Sequence, residues 1–266
     1  MPADLRLAPG ERVTPERAGW RYLSFRVETL ASPTSFGGAD HETALVILAG
    51  GMTVDGRELP GRASVWEGLP TAAYLPAGVR AIVAPIGPAV EVAVAEAPST
   101  TAGGELAIIR PDEVLVEVRG AGNATRQINH IITPAFAADR LEVVEVYTPG
   151  GNWSSWPPHK HDTDDMPREA VLEEIYSYRF RRPEAWAVQR VYGPSRDALY
   201  AVRSGETVIV PDGYHPFTAI HGDDAYYLNA LAGDVRTMAC SFDPALASVM
   251  DGWAGMEPDP RVPLVG

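Results

Sequence analysis

One short frame occurs twice in this chain, and it limits the folds open to it. Tyr74-Leu75-Pro76-Ala77-Gly78-Val79-Arg80 and Ile209-Val210-Pro211-Asp212-Gly213-Tyr214-His215 share a Pro-x-Gly turn followed by two residues. Proline presets φ for such a turn and glycine supplies a positive φ. One copy in each half of a 266-residue chain points to two homologous β domains. The rest of the sequence agrees. Ala44–Leu48 is a buried-strand run ended by Gly50-Gly51, and Asp55-Gly56 marks a hairpin. Short strand patterns follow at Ala63–Trp66, Ala72–Leu75, Arg80–Ala84, Val90–Glu96, Val114–Val118, Arg126–Ile132 and Leu141–Tyr147. No long helical periodicity interrupts them, so the expected class is all-β, two barrels or sandwiches with few helices.

The stretch Ala97–Glu105, rich in Ser, Thr and Gly, is the clearest linker. It divides the chain into 1–104, a barrel with an N-terminal arm, and 105–266, a second barrel. A net charge of −13 offers no basic patch to a nucleic-acid backbone. The single cysteine, Cys240, excludes an intrachain disulfide and a Cys-based zinc site, and reads as a buried, inert thiol. The opening Met1-Pro2-Ala3-Asp4-Leu5-Arg6 lacks the apolar core of a secretory signal. No run approaches the ~18 apolar residues that cross a bilayer. A cytoplasmic protein with no membrane partner is expected, with homo-oligomers able to form through exposed barrel edges.

The two copies of the frame end differently. The first ends in Arg80 and the second in His215, and only the second is preceded by a His-x-His pair, His159-Lys160-His161. Residues i and i+2 of a strand share a side, so two imidazoles aim together while Lys160 points away. Glu173 and Glu174 lie between the pair and His215. Imidazole plus carboxylate suits a divalent metal: zinc first, with manganese, iron and nickel as alternatives. The expected site therefore lies in the second barrel, and the first carries no metal.

His-x-His, a following Glu and a later His after a Pro-x-Gly turn resemble the cupin superfamily. More narrowly, Asn152-Trp153-Ser154-Ser155-Trp156-Pro157-Pro158-His159-Lys160-His161-Asp162 resembles the 5-deoxy-glucuronate isomerase family of myo-inositol catabolism. So do Glu173–Phe180, Gln189-Arg190-Val191-Tyr192, Gly213-Tyr214-His215-Pro216, Tyr226-Tyr227-Leu228-Asn229 and, in the first half, Gly61–Gly68. The resemblance implies a bicupin of two jelly-roll barrels. It also implies an aldose–ketose isomerase converting 5-deoxy-glucuronate, a small sugar acid, to 2-deoxy-5-keto-gluconate. The nearest confusable activity is that of the uronate ketol-isomerases of pectin breakdown. A sugar-acid sensor that binds without reacting and a metal dioxygenase are the readings from other classes.

The implied metal ligands are His159, His161, Glu174 and His215. The segment Thr163–Glu173 departs from the general cupin spacing, where the Glu follows the second His closely, and leaves Glu173 and Glu174 in competition. Strand parity couples Glu174 to Tyr176, Tyr178 and Phe180, and Glu173 to Ile175 and Ser177. The related family's Glu-aliphatic-Tyr-x-Tyr stretch favours Glu174. Isomerisation moves a proton between neighbouring carbons, so a general base is needed. Glu173, Tyr176, Tyr178 and a metal-bound hydroxide are the candidates, and a hydride shift would need no carbon base. The substrate carboxylate calls for a guanidinium, from Arg126, Arg179 or Arg190. Gln189 and Tyr227 are further candidate substrate contacts. His130 is expected to be structural and His221 exposed.

Overall fold

Two long bent strands, His41–Val54 and Ala81–Pro98, organise the first half. They pair antiparallel, with register shifts at Ile47/Ala49 and Ala49/Gly51 that bend the sheet over on itself. Gly50 occupies the bend at φ 90°, and a Cβ there would meet the carbonyl of Ala89 at 2.8 Å. The computed structural model describes residues 4–101 and 103–266. Met1–Ala3, part of the N-terminal stretch read for a signal, and Ala102 of the expected linker fall outside them.

The first sheet runs Ser24–Leu30, Ala81–Pro98, His41–Val54, Ala72–Leu75, Ala107–Ile109, with Thr34–Phe36 and Arg57–Arg62 paired alongside. Its interior is hydrocarbon: Leu45, Ile47, Met52, Val54, Val83, Val92 and Val94 all face one apolar cluster. Arg80, in the place of His215, is exposed. Both Pro-x-Gly turns put their glycine at positive φ, Gly78 at 90° and Gly213 at 83°.

The second half is a two-layer barrel. A seven-stranded sheet runs Arg6–Leu7, Thr207–Val210, Glu173–Phe180, Ala225–Ala232, Leu141–Thr148, Arg126–Ile132, Leu115–Arg119. A four-stranded sheet of Trp153–Ser154, Phe217–Ala219, Trp186–Gly193 and Arg196–Arg203 faces it. The outer face of the large sheet packs on the first half, joining Val143, Ile175, Leu228 and Ala230 to Phe25, Ala44, Val46 and Ala93 in one core. The helices are short: Pro15–Ala18, and the 3-10 turns Pro111–Glu113 and Ala247–Trp253. Among the described residues no helix is long and apolar enough to cross a membrane.

Sheet membership departs from a division at 104/105. Ala107–Ile109 pairs with Ala72–Leu75 of the first sheet, and Arg6–Leu7 with Thr207–Val210 of the second. Each half thus lends the other a short edge strand. A linker reads as a composition change, whereas edge pairing depends on which free strand edge lies within reach.

Candidate functional site

Side-chain parity sorts the glutamates. On Glu173–Phe180, Glu174, Tyr176 and Tyr178 point into the barrel, and Glu173 points out. The carboxylate of Glu173 accepts the backbone N–H groups of Arg21, Tyr22 and Leu23 at 2.6, 3.0 and 2.7 Å. It anchors the N-terminal arm and cannot serve as a base inside the barrel, which corrects that expectation.

His161 and His215 converge on Glu174 from two directions. Their Nε2 atoms lie 2.9 and 3.2 Å from one carboxylate oxygen of Glu174. The ligand atoms of the three residues all lie within 4.8 Å of one another, and all three residues are buried. Backbone carbonyls settle the tautomers. Nδ1 of His161 faces the carbonyl of Leu172 at 2.9 Å, and Nδ1 of His215 that of Gly213 at 3.0 Å. A carbonyl only accepts, so Nδ1 of each neutral ring carries the proton and Nε2 presents a lone pair. The Nε2 atom of His215 is buried without a hydrogen-bond partner. Two lone pairs directed at an anionic oxygen are a mismatch that a bound cation resolves, as does a proton shared with Glu174. Burial lowers the His161 pKa, but the Glu174 hydrogen bond outweighs it and raises that ring's pKa on balance. A carbonyl on the other ring nitrogen is the usual support of a ligating histidine. His159 stands beside this three-residue cluster and is not one of its members. Its ring centroid is 4.7 Å from that of His215 and 6.3 Å from that of His161, and its Nδ1 faces the carbonyl of Pro157 at 3.4 Å. Burial, reinforced by the neighbouring histidines, pushes the pKa of His159 well down, which keeps the ring neutral and its lone pair available. The donor set therefore fits a borderline divalent ion.

Asp162 ties the two histidine-bearing segments together, its Oδ2 accepting the N–H of Gly213 at 2.7 Å. Lys160 points away from the histidines and donates to Asp162, Thr163 and Glu169. Glu169 also accepts the N–H groups of Asp162 and Thr163, so the long segment before Glu173 is pinned at its start. A side chain at Gly213 would meet the carbonyl of Tyr192 at 2.4 Å, which reserves that turn for glycine.

A cavity of about 280 Å³ opens beside this cluster, near the small end of small-molecule sites. His159, His161 and Glu174 form its polar floor, and Arg119 and Arg126 one wall. Trp156, Leu172, Leu231, Met238, Phe242, Met250 and Trp253 make the remainder largely apolar. A smaller recess adjoins it, lined among others by Ser155, Tyr176, Tyr227, Asn229 and His130. Tyr176 and Ser155 share a hydrogen bond of 2.8 Å, and Tyr227 donates to Ser154 at 2.9 Å. Burial pushes the phenol of Tyr227 up to about 12 and that of Tyr176 well above its ordinary value, so both hold their protons. Arg126 is buried and donates from Nη1 to the carbonyls of Ala124 and Trp156, and no carboxylate among the described residues pairs with it.

The other expected contacts lie elsewhere. Arg179 faces the first half and pairs with Glu91 at 2.7 Å. Arg190 pairs with Asp197 on its hairpin partner strand at 2.8 Å, at the surface. Neither reaches the cavity, because odd and even positions of a strand serve opposite faces. Tyr178 and Gln189 are buried behind the site: the phenol donates to Oε1 of Gln189 at 3.0 Å, and Nε2 of Gln189 donates to the carbonyl of His215 at 2.6 Å. They hold the His215 segment and do not line the cavity. His221 is exposed, and His130 contacts Glu117 at 2.8 Å. Cys240 is only half-buried and borders the cavity, with burial raising its thiol pKa.

Arg119 and the C-terminal wall of Met238, Phe242, Met250 and Trp253 escaped the sequence reading. Arg119 had a signal: it and Arg126 flank the Gly120-Ala121-Gly122-Asn123 turn, and a hairpin there places them opposite each other. The C-terminal wall had none, since its residues carry no periodic pattern.

Glu142 adds a titration to the second barrel. It shares a cross-strand row with Leu231 and Glu174, and its Oε1 has no hydrogen-bond partner. Burial pushes its carboxyl up to about 7, against the pull of Arg236 and His161. The folded protein keeps a proton that the unfolded chain releases near the ordinary value of 4.5, so stability from this group falls as pH rises from there through about 7. Glu142→Gln should flatten that slope and gain up to about 3 kcal/mol on the alkaline side. Urea midpoints at about pH 5 and about pH 8 check it, and an unchanged slope refutes it.

The comparisons with known proteins follow the same geometry. The KduI/IolB family profile matches residues 6–249. A protein of Geobacillus kaustophilus named 5-deoxy-glucuronate isomerase is 42% identical over 254 residues, 90% of each chain. One of Bacillus subtilis strain 168 with the same name is 35% identical over 243 residues, 88% of this chain and 89% of its own. The crystal structure of an IolB-like protein from Salmonella typhimurium LT2 superposes with a TM-score of 0.88 at 35% identity, covering 93% of this chain and all (100%) of that one. An oxalate decarboxylase from Lactobacillus farciminis superposes at TM-score 0.64 with 11% identity over 91% of this chain and 89% of its own, a likeness of fold alone. Two barrels, a histidine–glutamate cluster in the second and a match along nearly the whole length agree: this chain belongs to the KduI/IolB family.

Proposed function

We propose that this protein is a divalent-metal-dependent aldose–ketose isomerase. Its substrate is 5-deoxy-glucuronate, its product 2-deoxy-5-keto-gluconate, and its setting the cytoplasm. The observation that carries the proposal is the convergence of the His161 and His215 Nε2 atoms on Glu174, beside a cavity lined by Arg126, whose guanidinium pairs with no carboxylate among the described residues. The names of the relatives supply the substrate.

His159, His161, Glu174 and His215 would hold the ion, zinc by preference for such a donor set. When bound, the ion supplies Lewis-acid stabilisation of the negative charge that grows on the substrate oxygens. Among the described residues Glu174 is the one acid lining either recess, and its Oε2 faces both histidines, where a bound ion would claim it instead of leaving it to act as a base. Tyr176 keeps its proton on Oη, where it can donate to an oxygen gaining charge, and Ser155 orients that hydroxyl. Tyr227 is held in the same way by Ser154, which itself accepts from Thr148 at 2.9 Å. Arg126 neutralises the substrate carboxylate, since no carboxylate among the described residues pairs with it. The apolar wall, itself partly exposed at Met238 and Phe242, suits the unsubstituted methylene of a deoxy sugar.

Zinc-loaded protein incubated with 5-deoxy-glucuronate in D2O should consume the aldehyde signal and yield the ketose. Deuterium in the new hydroxymethyl group marks a proton-transfer route, and its absence marks a hydride shift. Unchanged aldose in the presence of bound metal refutes the assignment, and faster turnover of a 4-deoxy-5-keto-uronate would transfer it to uronate ketol-isomerisation. Tyr176→Phe should lower kcat by about a hundredfold with metal content unchanged, as measured by steady-state kinetics and elemental analysis.

A further inference from the structure

The register of one hairpin sets two arginines against each other. Arg119 and Arg126 are direct cross-strand partners, and both line the main cavity and the recess behind it. Like charges placed opposite one another on antiparallel strands destabilise the pairing. One carboxylate is shared among this group. Glu117 takes a bidentate bond from Arg119, at 2.7 and 2.8 Å, and faces His130 at 2.8 Å. The bond from Arg119 holds the Glu117 carboxyl down to about 2, so it remains ionised and keeps the Arg119 fork oriented. Nothing comparable serves Arg126, whose Nε and Nη2 make no hydrogen bond among the described residues. Burial, with Arg119 adding to it, holds the Arg126 guanidinium down to about 10, the mark of a cation lacking its anion.

Resting on the isomerase reading above, we propose that Arg119 is a second substrate-binding residue, forming with Arg126 a two-guanidinium clamp for the substrate carboxylate. Arg126 is the fixed jaw, locked by the carbonyls of Ala124 and Trp156. Arg119 is the partly exposed jaw, with its Nη1 uncommitted among the described residues. The clamp selects acids over neutral aldoses, since two facing cations are relieved only by an anion between them.

The test compares Arg119→Gln with the unaltered protein on 5-deoxy-glucuronate and on its carboxamide, with zinc loaded in both. The expected result is a KM for the acid raised about tenfold or more, kcat changed less than about threefold, and no further loss on the carboxamide. Arg119→Lys, which keeps the charge and loses the fork, should fall between the two on the acid. The melting temperature of substrate-free Arg119→Gln should stay close to that of the unaltered protein, because the loss of the exposed Glu117 pair is offset by the removal of a repelling neighbour. Equal losses on acid and amide with a lowered melting temperature would make Arg119 structural and overturn the clamp. An unchanged KM for the acid would overturn it as well, while leaving the isomerase reading intact. That reading fails separately, by absent turnover in the unaltered protein.

Discussion

His161→Ala should lose divalent-ion binding and turnover together. The ring is buried, its Nδ1 committed to the Leu172 carbonyl and its Nε2 aimed at Glu174, so nothing nearby can substitute for the missing donor. Loss of transition-state stabilisation by the ion should cost on the order of a thousandfold or more in kcat. Elemental analysis after gel filtration and NMR turnover read the two losses. Stability supplies a second signature. Added zinc should raise the melting temperature of the unaltered protein by mass action and leave that of His161→Ala nearly unmoved. Stoichiometric zinc with full turnover in the variant would dismantle the site.

Arg62→Met strikes a contact between the two halves. Arg62 and Glu145 pair with almost no solvent access, their side chains 2% and 0% exposed. Arg62 also donates to the Ile47 carbonyl at 2.9 Å, and Glu145 accepts from Tyr226 at 2.8 Å. Burial works against the charge on Arg62, yet the facing Glu145 carboxylate raises its pKa on balance. Removing one partner leaves a buried charge without its counterion, which costs about 3–5 kcal/mol. Urea unfolding should show that loss. The double variant Arg62→Met with Glu145→Leu should recover much of it, because an apolar pair carries no desolvation cost. A single variant as stable as the parent would mean that this pair does not help hold the halves together. Gly61–Gly68, matched to the family in the half without a metal cluster, thus includes a residue that braces the sheet carrying Glu174.

How far the site could be read beforehand differs residue by residue. His159, Lys160 and His161 alternate within one short segment, so local geometry alone separates the histidines from the outward lysine. Glu173 and Glu174 are adjacent and chemically identical, and parity shows only that one of them faces in. The three backbone N–H groups of the N-terminal arm, about 150 residues earlier in sequence, claim Glu173 and leave Glu174 inside. The arginines were harder. Arg179, Arg190 and Arg126 are alike in sequence, and what separates them is which acid each meets: Glu91 from the other half, Asp197 across a hairpin, or none among the described residues. A guanidinium's availability is a property of its surroundings and has no local signature.

The sequence by itself determined the all-β class, the doubled barrel, the histidine motif and the family, because these rest on short-range alternation, turn chemistry and a contiguous motif. Only the tertiary structure decided which glutamate meets the histidines, which arginines open onto the cavity, and how the halves exchange their edge strands. Those outcomes depend on contacts between segments far apart in the chain, where register and burial choose among residues that are locally equivalent.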